Sequence, residues 1–414
     1  MGIPMISYDS INMLTPTQTI ETTSQFNTAN SQEHYDVIVI GVGSMGASTC
    51  CYLAQQGLKV LGLEQFSIPH QMGSHSGQSR IIRKAYFEHP DYVPLLLKAY
   101  ENWHSLEKAT DTQLYYPTGF VYFGPPEHSL LTGVKESAKL YDLPLDHISP
   151  DIAAKQFPQF HVPDDYECIL EPQAGFITPE RAILTYAEEA IKMGCDIVTN
   201  AKVNSWERSK KGVKVNCEDG TYSGKKLVIT SGAWSSSLIP GLSSKLQVTR
   251  QVLAWLKPKR WEDFSLDNFK CWTIAEREKP GIYYGFPILP SHSFFGPIGL
   301  KVAYHYPGQQ INPDSAASFD PSDEINDLKK VLDKYLPQAF DSVLEIKSCL
   351  YTNTPDEHFI IDLLPGYEDI VSVACGFSGH GFKFVSVVGE ALTDLAIKGQ
   401  TDLPIEFLNA KRFI

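Results

Sequence analysis

The chain has 414 residues, 43% hydrophobic and 20% charged, an ordinary globular composition that excludes collagen-like, coiled-coil and largely disordered architectures. Lysine plus arginine number 35 against 48 acidic residues, and the net charge of −13 excludes the basic footprint of a nucleic-acid-binding protein. The length suffices for several cores, and the eight cysteines show neither C-x-x-C nor a Cys/His ligand spacing, so we expect no metal site and reduced thiols in a cytoplasmic chain.

Residues 1–33 are rich in Ser, Thr, Asn and Gln and lack the apolar core of a signal peptide; they read as a flexible extension. No apolar run reaches the roughly 18 residues of a membrane span. Ordered structure is expected from His34. Residues 35–40 (YDVIVI) read as a strand buried on both faces, Gly41-Val42-Gly43-Ser44-Met45-Gly46 opens a helix to about Gln56, and residues 58–64 form the next strand. A helix is expected over 91–108. Residues 112–176 read as irregular, with short strands and Pro-rich turns. Thr178 suits a helix N-cap, Pro179 the first helical position and Gly194 the end. Short strands with turns at 210–212 and 218–220 lead to a buried strand at 227–230. Aromatic, β-rich sequence follows from 241 to 345, with one helix near 323–335. Gly376 to Lys383 precedes a last helix at 385–398.

The expected fold class is α/β (α+β): a Rossmann-like domain assembled from discontinuous segments, with a second domain built on a mixed β-sheet. The first would take residues 34–90, 176–240 and 345–414, and the second 91–175 and 241–344. A G-x-G-x-x-G between a strand and a helix is a dinucleotide fingerprint. Gly41 permits the tight turn, Gly43 lets backbone approach a pyrophosphate, and Gly46 allows close helix packing. Glu64, at the end of the second strand, can accept ribose hydroxyls. A bare glycine turn is the bland alternative. The motif does not separate NAD from FAD, but a dinucleotide domain built from three distant segments points to an FAD enzyme of the amine oxidase type.

Three further runs carry a resemblance. Residues 73–86 (GSHSGQSRIIRKAY), 349–359 (CLYTNTPDEHF) and 376–383 (GFSGHGFK) resemble the monomeric sarcosine oxidase family, which includes N-methyl-L-tryptophan oxidase and L-pipecolate oxidase. The resemblance covers about residues 34–408 in the same order. His75-Ser76 departs from the paired histidines of bacterial sarcosine oxidases, and Gln78-Ser79-Arg80 looks closer to pipecolate and peroxisomal sarcosine oxidases.

The resemblance implies an FAD joined as an 8α-S-cysteinyl flavin to Cys349, and oxidation of N-methyl or cyclic secondary α-amino acids to imines, with O2 reduced to H2O2. It implies that Lys301 stands at the flavin ring and assists O2, a fixed cation favouring the developing superoxide. Arg80 would lie against the ring. Arg83 and Lys383 would hold the substrate carboxylate, and His305, Tyr284 and Tyr351 would line the pocket, His305 tuning it rather than taking a proton. Further cofactor contacts are expected from Ser44, Met45, Ser74, His75, Ser79, Val203, Trp234, Gly376, Gly379, Gly381 and Lys383. The partners are a small amino acid and O2, with no nucleic acid or membrane, in a monomer. A lysine between apolar neighbours is more often the wet side of a strand, and buried tyrosines are as often core. The rival readings are a flavin dehydrogenase with another acceptor, a flavin-bearing protein without turnover and a nicotinamide-dependent dehydrogenase.

Overall fold

The strand His34–Ile40 is the centre of a parallel sheet, between Val60–Leu63 on one side and Gly220–Ile229 on the other, in a computed structural model that describes residues 34–414 except 219, 307 and 316–318. The expected N-terminal extension lies outside the described residues. Asp196–Val198 extends the sheet beyond Val60–Leu63, and Val371–Cys375 pairs in parallel with residues 227–229 of the opposite neighbour. Val37 and Val39 point into one core and Tyr35, Ile38 and Ile40 into the other, which is why the run is apolar at nearly every position. Helices Ser44–Gln55, Pro179–Lys192 and Val385–Lys398 bury their apolar faces in the first of these cores.

A second, mixed sheet runs in the order Ser342–Asn353, Gln247–Lys257, Leu300–His305, Ile282–Phe286, Cys271–Ala275, Phe120–Gly124, Glu167–Glu171, Asp146–Ile148. Its two faces are chemically distinct. Leu300 and Val302 join Ala254, Leu256 and Trp272 under the amphipathic helix Ser322–Tyr335. The alternate residues, Ala303 with Leu253, Trp255, Cys349 and Tyr351, turn to the opposite face, towards the first sheet's glycine loops. A small third sheet joins Arg80–Ile82 and Tyr115–Tyr116 to Gly175–Ile177 and carries the chain from one large sheet to the other.

Several sequence expectations change. Residues 112–176 hold two helices, Ser129–Tyr141 and Pro150–Gln156. The first is capped by His128, whose Nδ1 accepts from Leu130 N at 3.1 Å. Its Gly133, which weakened the helical signal, lies so close to Phe87 that a Cβ would stand 2.6 Å from the Phe87 carbonyl oxygen. Thr178 precedes its helix without capping it, because its hydroxyl donates to Leu114 O instead. Ser342–Asn353, expected largely in the first domain, is the edge strand of the second sheet. Val93–Thr110, expected in the second domain, packs into the first core, with Trp103 Nε1 donating to Lys383 O at 3.0 Å.

Candidate functional site: a cavity between the two sheets

One continuous cavity runs from the Gly41–Gly46 loop to the inner face of the second sheet. Its first end is built from backbone. Gly41 has φ +86°, and Cβ atoms at Gly41 and Gly46 would stand 2.7 Å from Thr230 O and 1.8 Å from Gly41 O. Gly46 is thus demanded by the turn itself and does not line the cavity. Gly43 differs: a Cβ there meets only the His75 ring, at 3.9 Å, so the missing side chain leaves approach from the cavity open. Ser44 and Met45 continue the wall at the helix N-terminus.

Glu64 faces this end, its carboxylate accepting from Val42 N at 2.8 Å and Phe66 N at 3.0 Å. Burial pushes it up to about 7 despite those bonds. His75 Nε2 donates to His70 O at 3.1 Å, and burial with the nearby Arg80 charge drives the imidazole down to about 4, so it is neutral. Ser74, Val203 and Trp234 complete this half.

The other end is built from side chains. Cys349 and Tyr351, two apart on one strand, face the cavity beside Tyr284 and His305 from neighbouring strands. Burial raises the Cys349 thiol, and Arg80 and Lys301 oppose that rise. His305 Nδ1 lies 3.0 Å from Tyr351 Oη; burial, with Lys383 and Arg83 nearby, brings His305 down to about 4. Gly379 lies against the Tyr351 ring, which would stand 2.2 Å from a Cβ, and with Gly376 and Gly381 it forms the facing wall. The N–H groups of Ser378 and His380 are taken by Thr352 O and Phe377 O, and a short 3-10 turn, Phe382–Phe384, separates this loop from its helix.

Arg83 and Lys383 both line the cavity and both are buried. Arg83 forks onto Glu88, Nη2 lying 2.8 and 2.7 Å from the two carboxylate oxygens, while Nη1 donates to Ala85 O at 2.7 Å. Burial alone would raise Glu88; Arg83, with His380 and Lys383, holds it at about 2. Lys383 donates to His380 O at 2.8 Å, and burial, then Arg83, brings it down to about 7. The pocket that holds Arg83 and Lys383 therefore also contains an acid that neutralises one of these cations. Phe120, Tyr122, Leu130 and Ile282, packed in one cluster, wall a chamber of the same cavity together with Thr273.

Lys301 is buried, and its Nζ donates to Gly77 O at 2.6 Å and Ser79 O at 2.7 Å, with Ser79 Oγ at 3.3 Å. It stands with Ser79 one layer behind the cavity wall. Arg80 is on the wall, donating to Ser74 O and Ser76 O.

The chain matches the FAD-dependent oxidoreductase family over residues 36–395. It belongs to that family. FAD is accordingly the cofactor, and the residues fit it, with an open approach at Gly43 and a buried acid at Glu64 along one elongated cavity. Among family members, a monomeric sarcosine oxidase of Bacillus sp. (strain B-0618) is 40% identical over 386 residues, covering 92% of this chain and 96% of the relative. An N-methyl-L-tryptophan oxidase of Yersinia pestis (strain Pestoides F) is 36% identical, covering 92% and 99%. The fold is also that of NikD, an unusual amino acid oxidase, with TM-score 0.78 at 23% identity over 91% of this chain and 97% of that one.

Sequence reading missed Glu88, Glu180 and the chamber walls. Glu88 lies five residues from Arg83, a spacing with no helical or strand meaning here. His380 lay inside a recognised run without a role; its Nδ1 meets Tyr86 Oη at 2.5 Å and its Nε2 meets Glu357 O at 3.1 Å. Among the described residues no cluster of His, Cys, Asp and Glu could hold a metal ion, and no helix is long and apolar enough to cross a membrane.

Proposed function

We propose that this enzyme is an oxidase of N-substituted α-amino acids that uses O2 and carries its FAD on Cys349. The observation that carries this reading is the placement of two buried cations, Arg83 and Lys383, in the same cavity as Cys349, His305 and Tyr284. The names of the similar oxidases support it. Bound FAD supplies the two-electron acceptor for an amine C–H bond and passes those electrons to O2.

The protein's part is binding, orientation and charge. Arg83 offers a planar fork and Lys383 a point charge to the substrate carboxylate, so a bound acid competes with Glu88 for the fork. Arg83, Arg80 and the protonated form of Lys383 disfavour an ammonium and so favour the neutral amine, whose lone pair the reaction needs. His305, neutral and tied to Tyr351, tunes the pocket rather than taking the proton. The chamber walled by Phe120, Leu130 and Ile282 favours a cyclic or apolar-substituted amino acid over sarcosine itself. The resulting imine hydrolyses in water. The relatives' naming as monomeric supports a monomer here.

The test is anaerobic bleaching of the yellow protein by sarcosine, L-pipecolate and N-methyl-L-tryptophan, followed by peroxide assay on admitting air. Acid precipitation of the Cys349→Ser variant should leave the yellow colour in the supernatant, whereas the parent pellet should stay yellow. A colourless parent pellet removes the tether, and no bleaching by any member of the panel removes the substrate class.

A further inference from the structure

We propose that Glu180 is a positioning residue that holds Lys301 and Arg80 in place through the loop 77–79, and thereby sets the rate of reaction with O2; the oxygen part rests on the function proposed above. Glu180 sits in the first turn of helix Pro179–Lys192, where an acid commonly serves only the helix dipole. Its carboxylate does something else. Oε1 accepts from Gly77 N at 2.8 Å and Gln78 N at 3.1 Å, and Oε2 accepts from Gln78 N at 3.2 Å, about 100 residues away in sequence.

The carbonyls of the same loop serve the cations. Gly77 O and Ser79 O accept from the Lys301 ammonium, and Ser79 O also accepts from Arg80 Nη1 at 2.9 Å. With Ser79 Oγ at 3.3 Å, the three N–H groups of the ammonium have three oxygen partners, all on this loop. Among the described residues no carboxylate lies within ion-pair distance of Lys301, so loop carbonyls hold the charge directly and Glu180 supports it from the other side of the peptide groups.

The loop does not adopt this shape for free. Gly77 has φ +113° and Gln78, which is not a glycine, has φ +72°. The Gln78 side chain is held as well, Oε1 accepting from Trp255 Nε1 at 3.2 Å. The carboxylate offsets the strain by satisfying two buried donors at once. Burial and then Arg80 disfavour the Lys301 charge, and Glu180 favours it. Losing the carboxylate would free both amides, let the carbonyls turn and leave Lys301 without its acceptors.

Glu180→Gln keeps the shape and removes the charge and one acceptor oxygen. In the FAD-loaded enzyme, anaerobic reduction by substrate should change less than about threefold, while reoxidation by O2 should slow about tenfold. The pH above which reoxidation fails should also move down, which loosened packing alone would not produce. Glu180→Asp should recover part of both effects. In a Lys301→Met background, Glu180→Gln should slow reoxidation no further. Amide exchange at Gly77–Ser79 should accelerate in Glu180→Gln. Unchanged reoxidation in Glu180→Gln, or effects of the two substitutions that simply multiply, overturns the proposal. If Lys301→Met itself reoxidises normally, the oxygen role of Lys301 falls, and with it the oxygen part of this inference. The positioning part then stands or falls on the exchange at Gly77–Ser79, and unaltered exchange overturns it.

Discussion

The two ends of the cavity are built by different means. At the glycine-loop end the tight turn is made of backbone within one stretch of chain, from His34 to Met45, with Thr230 behind it, and side chains such as Glu64, His75 and Trp234 only complete the wall. The opposite end is made of side chains from at least five strands that meet only because the second sheet pairs them. At the first end, shape is fixed by the absence of side chains. At the second, function depends on which charges are set beside each other: Arg83 on Glu88, Lys383 on His380 O, and Lys301 on a loop far away in sequence. At Gly41 and Gly46 the local geometry tolerates no extra atom, whereas the distributed site tolerates substitution at a cost in charge balance.

That contrast can be broken. Gly46→Ala should be the most damaging change, destabilising the protein by about 4 kcal/mol, because its Cβ falls 1.8 Å from a backbone oxygen. Denaturant unfolding checks this, and Gly43→Ala is the companion, expected to fold normally yet take up less FAD. Equal unfolding midpoints for the two alanine variants would show that the glycines are interchangeable and that the loop is not rigid in the way described.

At the other end, Arg83→Met should cost about 2–3 kcal/mol of carboxylate binding, a rise in KM of roughly 30- to 150-fold. Glu88 would then be buried without its partner, so the variant should also unfold more easily. A KM near the parent value would move the carboxylate site elsewhere.

A smaller effect is expected from pH. Lys383 titrates at about 7, and a bound carboxylate favours its protonated form. Affinity for a non-reactive carboxylic acid should therefore be full below pH 7 and fall by up to tenfold per pH unit above it. Lys383→Met should flatten the curve.

Smallest is Glu64. Its carboxyl is raised to about 7, and the ionised form is the better acceptor for ribose hydroxyls. FAD binding, measured in the Cys349→Ser background, should tighten a few-fold as pH rises through 7. Glu64→Gln should remove that dependence. A pH-independent parent would place the ribose away from Glu64.

Much of this molecule was legible in the sequence because its rules are local. The strand of apolar residues from Tyr35 to Ile40, the three glycines after it and the acid at Glu64 each follow from short-range stereochemistry, and the longer runs at 73–86, 349–359 and 376–383 pointed to the family. Alternation along Leu300–His305 even set Lys301, Ala303 and His305 on one face. Only the folded chain decided what that face meets. The parallel pairing of Cys271–Ala275 with Phe120–Gly124 brings Thr273 beside Tyr122 and so closes the chamber. Burial lowers Lys383, Glu88 neutralises Arg83, and Glu180 braces the loop that holds Lys301. The reason is physical: a strand's period of two fixes which way a side chain points, but the free energy of a buried charge is set by whatever the rest of the chain places around it.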